Sequence, residues 1–140
     1  MAEPFTMNDI PTDECWQLLD SQRFGRLAVA VRGGPDIYPI NFLVDGDRVL
    51  MKTGAGTKLF QVTLNNAVAL EADVVTDTEA WSVVVRGVAR VVDSFSEKYE
   101  LDEKHLDTWL PTSKPVYITI EHTEVSGRRF TRDPNVHIED

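Results

Sequence analysis

Cysteine is almost absent from this chain: Cys15 is the only one in 140 residues. An internal disulfide is therefore excluded, and a reducing cytoplasm is the compartment that fits. Long apolar runs are missing too. The longest uncharged ones, LAVAV and WSVVV, are strand-sized, far short of the ~20 residues a membrane-spanning helix needs. The N-terminus MAEPFTMNDI has acids where a secretion signal needs a basic and then an apolar stretch, so export is not expected. Basic residues are scarce, 14 Lys and Arg against 23 Asp and Glu, for a formal net charge of −9. Nucleic acids and anionic membranes both require a basic face, so neither is an expected partner. His105, His122 and His137 have no metal-ligand spacing among themselves or with Cys15.

What is present is enough for one domain, residues 1–140, with a real core: the apolar share is 42%. Residues 12–23, TDECWQLLDSQR, predict a first helix, with Thr12 as its cap, Asp13 and Glu14 at its positive end, and Cys15, Leu18 and Leu19 on one face. The period then changes to two. GRLAVAVRGG, DIYPINFLVDGD and RVLMKTG read as three strands of a meander, separated by turns at Gly33-Gly34-Pro35 and Asp45-Gly46-Asp47. Pro39 within the second strand implies an edge, a bulge or a close backbone approach.

A short helix, GTKLFQVTLN, follows. AVALEADVV and WSVVVRGVARVVD are the next two strands, the latter with a bend or bulge at Gly87. SFSEKYELDEKHLDTWL returns to helix, with Ser94 and Glu97 placed as a capping box, and VYITIEHTEVSGRRF closes the sheet as a strand or strand pair. Residues 1–9 and 131–140 are expected as mobile or partner-packed tails. Strands in hairpins with few helices predict a mainly β fold, a closed or nearly closed antiparallel barrel.

The block TGAGTK at 53–58 carries the chemistry. Gly54 and Gly56 are too close for a Walker loop and the setting is not βαβ, so neither nucleotide fingerprint applies. A strand–turn–helix context still offers free N–H groups to an anion. Thr53 and Thr57 add hydroxyls, and Lys52 and Lys58 add charge. From 48 to 58 the chain has Arg48, Lys52 and Lys58 and no acid. On its own the motif fits a phosphate cradle and a tight turn with solvated lysines equally well.

Taken in order, ECWQLL…GRLAV, PINF at 39–42, MKTGAGTKL at 51–59, WSVVVRGVARVV at 81–92 and VSGRRF resemble the pyridoxamine 5'-phosphate oxidase-like family of flavin-binding split barrels, over about residues 10–130. The resemblance implies a six-stranded antiparallel split β-barrel with two to three flanking helices, assembled as a homodimer with flavin sites at the subunit interface. It implies FMN as cofactor, with the deazaflavin F420 as the alternative. Lys52, Thr53, Thr57 and Lys58 would hold the phosphate. Pro39, Ile40, Asn41 and Phe42 would line the isoalloxazine, and Trp81 and Ser82 would approach it from the other subunit. Read from the residues alone, Trp81 also fits barrel core, Asn41 a structural hydrogen bond, and Arg86 a surface ion pair.

The function implied is an FMN-dependent oxidoreductase passing a hydride from reduced flavin to a small organic acceptor. The alternatives are an F420- or haem-binding carrier or sensor of the same fold, or a non-catalytic split-barrel dimer. No nucleophile–base pair can be assembled from the sequence, which suits chemistry carried by a cofactor.

Overall fold

The computed structural model describes residues 5–31, 34–54, 67–104, 115–133 and 135. Seven strands appear among them: β1 (Phe5–Asp9), β2 (Phe24–Val31), β3 (Gly34–Asp45), β4 (Arg48–Gly54), β5 (Ala67–Val75), β6 (Glu79–Val91) and β7 (Pro115–Arg132). Two helices are described, α1 (Thr12–Asp20) and α2 (Phe95–Asp102). Every pairing is antiparallel. The order β7-β4-β3-β2-β5-β6 closes on itself through a further β6–β7 pairing, giving the six-stranded barrel expected, with β1 added on the edge of β7.

Alternation builds the interior. Leu27 and Val29 of β2, Phe42 of β3, Val49 and Met51 of β4, Leu70 and Ala72 of β5, Val83 and Val85 of β6, and Ile118 and Ile120 of β7 all point into one buried cluster. A second, smaller cluster of Leu50, Val92, Leu101 and Tyr117 lies on the opposite face of β4 and β7, beneath α2. This two-sided burial explains why VLM and VYITI read as almost unbroken apolar runs.

The Asp45–Arg48 turn falls where the sequence puts it, around Gly46, whose φ of +65° suits glycine. Gly34 and Pro35, expected in the first turn, already belong to β3, paired with Val31 and Ala30 of β2. Gly87 marks a bulge, as its place in the strand predicts: Arg86 pairs with Glu124 but Val88 with Glu121. A Cβ at Gly87 would lie 2.6 Å from the Glu121 carbonyl oxygen, so no other residue fits without a backbone shift. Opposite it, His122 takes a φ of +54°, and there β7 passes from partnering β4 to partnering β1. The last strand is thus one bent strand.

Four expectations change. Residues 5–9 and 131–132, expected in the tails, are strand: Phe5–Asp9 pairs with Arg128–Arg132, and Phe5 stacks on Phe130 at 5.5 Å between ring centroids. Phe5 and Met7 alternate with Thr6 and Asn8, but five residues exposed on both faces are too short to announce a strand. Thr12 does not cap α1. Pro11 occupies that position with φ −58°, and Thr12 is already helical. Helix α1 also stops at Asp20, because Ser21 and Arg23 turn back to donate to the carbonyls of Leu18 and Asp20. Ser94 does cap α2, accepting from the Glu97 amide at 3.4 Å. The Glu97 carboxylate, however, leaves the box to accept from Arg90 at 2.9 Å and Arg48 at 3.2 Å. The helix expected over GTKLFQVTLN lies outside the described residues.

Candidate functional site

The β3–β4 ladder runs from Asp45↔Arg48 to Phe42↔Met51 and ends. Beyond that pair β3 continues with β2 alone and β4 with β7 alone. The next residues past the last pair are Asn41 and Lys52, so the barrel parts between two segments singled out from the sequence. Pro39, which has no N–H to give, lies on the stretch of β3 that has lost β4 as a neighbour.

Side-chain direction sorts the candidates. Ile40 and Phe42 point into the core and are 5% and 0% exposed. Only their backbone is left for a ligand, whereas Pro39 is exposed and Asn41 half-buried on the outer face. The Asn41 carboxamide donates to the Arg23 carbonyl at 3.3 Å, fixing the start of β2 against β3. Thr53 points inward and is buried. Thr57 and Lys58 lie outside the described residues.

Lys52 points outward and is half-buried. Its ammonium stands 5.7 Å from the ring centroid of Tyr117, its cross-strand partner. Tyr117 is 4% exposed and its hydroxyl donates to Asp102 Oδ1 of α2 at 2.5 Å. Burial, reinforced by that carboxylate, pushes the Tyr117 phenol well above its ordinary range, so it stays a neutral donor. A cation–π contact of this kind contributes about 0.5–1 kcal/mol and orients the ammonium. Lys52 beside the parting of two strands, with Asn41 across it, is a donor set suited to an anion. Tyr117 and Asp102 were not legible as part of it: what couples them to Lys52 is register and the docking of α2.

Trp81 and Ser82 sit elsewhere. The Trp81 side chain is 8% exposed and packs in the barrel core, paired with Val74 and Arg129. Ser82 faces outward, and its hydroxyl donates to Glu71 Oε2 at 2.9 Å. Glu71 also accepts from Arg26 at 2.8 Å, and Asp73 from the same guanidinium at 3.1 Å. Burial, with Asp73 close by, raises the Glu71 carboxyl above its usual range. With its proton engaged, Ser82 offers a ligand lone pairs rather than a donor. Ser82 pairs with Arg128 and Lys52 with Tyr117, on opposite sides of the β7 bend at His122, so one chain does not bring these two candidates together.

Among the described residues no three His, Cys, Asp or Glu side chains are placed to hold a metal ion. Cys15 is fully buried, its thiol raised by desolvation and by Glu14, and it serves as a small core residue. Among the described residues no helix is long and apolar enough to cross a membrane.

The sequence profile of the pyridoxamine 5'-phosphate oxidase family matches residues 11–129. An uncharacterised protein of Mycobacterium tuberculosis is 31% identical over 132 residues, covering 89% of this chain and 86% of the relative. The FAD binding protein from Mycobacterium smegmatis superposes with a TM-score of 0.78 at 39% identity, covering 89% of this chain and 98% of that one. A FAD-binding protein from Mesorhizobium loti superposes with a TM-score of 0.75 at 27% identity, covering 88% and 97%.

Proposed function

The chain belongs to the pyridoxamine 5'-phosphate oxidase family, and from that premise we propose that it is a flavoprotein oxidoreductase, passing a hydride from reduced flavin to a small organic acceptor. The observation that carries this reading is the parting of β3 and β4 beside Lys52, which leaves a cation and a carboxamide on the outer face where the two strands separate. Lys52, with the backbone of Thr53 and with Thr57 and Lys58, holds the flavin phosphate. Pro39, Asn41 and the backbone of Ile40 and Phe42 flank the ring. The bound flavin supplies the hydride chemistry, and the protein supplies binding, orientation and field.

The protein acts as a cytoplasmic homodimer. Two features support this: Ser82 and Lys52 are separated within one chain, and the outer face exposes Ile37 at 62% and Val88 at 41%. In the dimer Ser82, beside Trp81, approaches the partner's flavin. FMN is the cofactor expected of a phosphate cradle. FAD is the second reading, because two relatives of this fold are FAD-binding proteins and FAD carries the same ring and first phosphate. F420 is a third, less suited because its polyglutamate tail would meet an acidic chain.

Titration of the purified protein with FMN, FAD and F420, followed by flavin fluorescence and absorbance, tests the cofactor. Oxidation of a nicotinamide cofactor by the loaded protein tests the activity. Saturable flavin binding that weakens in Lys58→Ala is expected. Binding without turnover over a panel of acceptors would make the protein a carrier, and no binding at all would sink the flavin reading.

A further inference from the structure

Most arginines of this acidic chain are already engaged. Arg23, Arg26, Arg48, Arg90, Arg129 and Arg132 each donate to a carboxylate or carbonyl at 2.5–3.2 Å. Two of the described arginines are not. The Arg86 side chain has no hydrogen bond or ion pair among the described residues, although Glu124 is its cross-strand partner. Arg128 reaches only Asp9, at 3.9 Å, with both side chains largely exposed. These two arginines line one groove of about 500 Å³ on the outer face of β6 and β7, together with Ser82, Val84, Ser126 and Asp9.

The placement of Arg86 is built into the fold. It immediately precedes the bulge at Gly87, the device by which a strand re-aims a side chain. Arg86 also borders an adjoining groove of about 540 Å³ that reaches Trp16 of α1. Ser82 and Arg128 are cross-strand partners, and Arg86 lies four positions further along β6, about 13 Å away by strand rise. Between the two guanidiniums the groove is walled by Val84 and Val125.

We propose that this groove binds an organic dianion, a dicarboxylate or a phosphorylated carboxylate, with one acidic group on Arg86, the other on Arg128 and the carbon body along Val84 and Val125. Guanidinium forks match carboxylate and phosphate geometry, and an unpaired one loses no existing partner on binding. Asp9 beside Arg128, Glu124 opposite Arg86 and Glu71 on Ser82 are the local counterweights. The Asp9 contact with Arg128 is long and exposed, so a ligand group displaces it readily. Resting on the flavoprotein reading, the inference names the acceptor's class: Ser82 lines the groove, so a dianion held there lies where the partner's flavin is approached.

Adipate and hexanoate, which share a six-carbon skeleton and differ in one charged end, probe the site. The full-length protein is titrated with each, with and without FMN, following the arginine Nε–H resonances by NMR. Adipate should shift the Arg86 and Arg128 signals saturably and bind about tenfold more tightly than hexanoate, and Arg86→Gln and Arg128→Gln should each weaken it about tenfold. Equal affinities, shifts spread over all arginines, or indifference to both substitutions would overturn the proposal. An FMN titration on the same samples separates the two claims. Adipate binding without flavin binding would keep the groove and remove the oxidoreductase, and the reverse would do the opposite.

Discussion

Lys52 and Tyr117 face each other across β4 and β7, with the ammonium 5.7 Å from the ring centroid and the tyrosine hydroxyl anchored to Asp102 on α2. A flexible lysine is thereby held beside the point where β3 and β4 separate. Lys52→Met keeps the stem and removes the charge. It should weaken flavin binding about tenfold, the scale of one charged hydrogen bond, while leaving the melting temperature of the flavin-free protein within about 2 °C. Lys52→Arg should retain the affinity. Fluorescence titration and a thermal melt on the same samples decide it: unchanged affinity in Lys52→Met would remove this residue from the site.

Gly127 is a contact point between α1 and the barrel. A Cβ there would meet Cys15 Sγ at 2.8 Å and Val83 Cγ2 at 3.1 Å. Gly127→Ala should destabilise by about 1–3 kcal/mol through overpacking. In a Cys15→Ala background the same substitution should cost less, because the sulfur it strikes is gone. The check is a double-mutant cycle by urea denaturation, and strictly additive costs would show that the sulfur is not the obstruction.

Period carried most of the fold. Leu27, Val29, Leu70 and Ala72 alternate cleanly because each strand has one wet face, and Gly87 announced its bulge because a glycine amid valines has little other use. Strand β1 stayed hidden because five residues exposed on both faces are too short a pattern to tell from a tail, although Phe5 on Phe130 and Thr6 on Thr131 help hold it. The TGAGTK block stood out in the sequence as a local motif. Its neighbours Tyr117 and Asp102 did not, because long-range register brings them in. Ile40 and Phe42 share the motif with Pro39 and Asn41, but alternation turns their side chains into the core, which leaves only their backbone facing outward. Arg86 and Arg128 each read as an ordinary surface charge, and only the β6–β7 pairing places them in one groove.

Helix α2 is tied to the barrel by charge as well as by Leu101. Arg90 holds Glu97 and Glu121 below the usual carboxylate range, with Arg48 adding to both and burial opposing. A depressed carboxylate pKa means that the folded state favours the ionised form. This stabilisation is therefore complete above the ordinary value near ~4.3 and is lost as pH falls through the folded-state value. Amide protection in α2 should drop on acidification before that of β5 and β6 does. Glu97→Gln should lower α2 protection at neutral pH and flatten its pH response. Hydrogen exchange at several pH values reads both, and parallel loss across all elements would show that the ion pairs do not govern docking.

Thr119 stands under α2 with no exposed surface, and among the described residues its hydroxyl has no hydrogen-bond partner. Its cross-strand neighbours are Leu50 on β4 and Arg90 on β6. The outward row of β7 runs Tyr117, Thr119, Glu121. The phenol is satisfied by Asp102 and the carboxylate by Arg90, which leaves the middle member alone. A buried hydroxyl without a partner costs about 1–3 kcal/mol in desolvation, while valine has the same branched shape and no polar atom. Thr119→Val should therefore stabilise the protein by about 1 kcal/mol and raise its melting temperature by about 2–4 °C. Calorimetry of the flavin-free protein measures it. A fall instead would mean that the hydroxyl has a partner in solution, and α2 would then rest on a polar contact where apolar packing is expected.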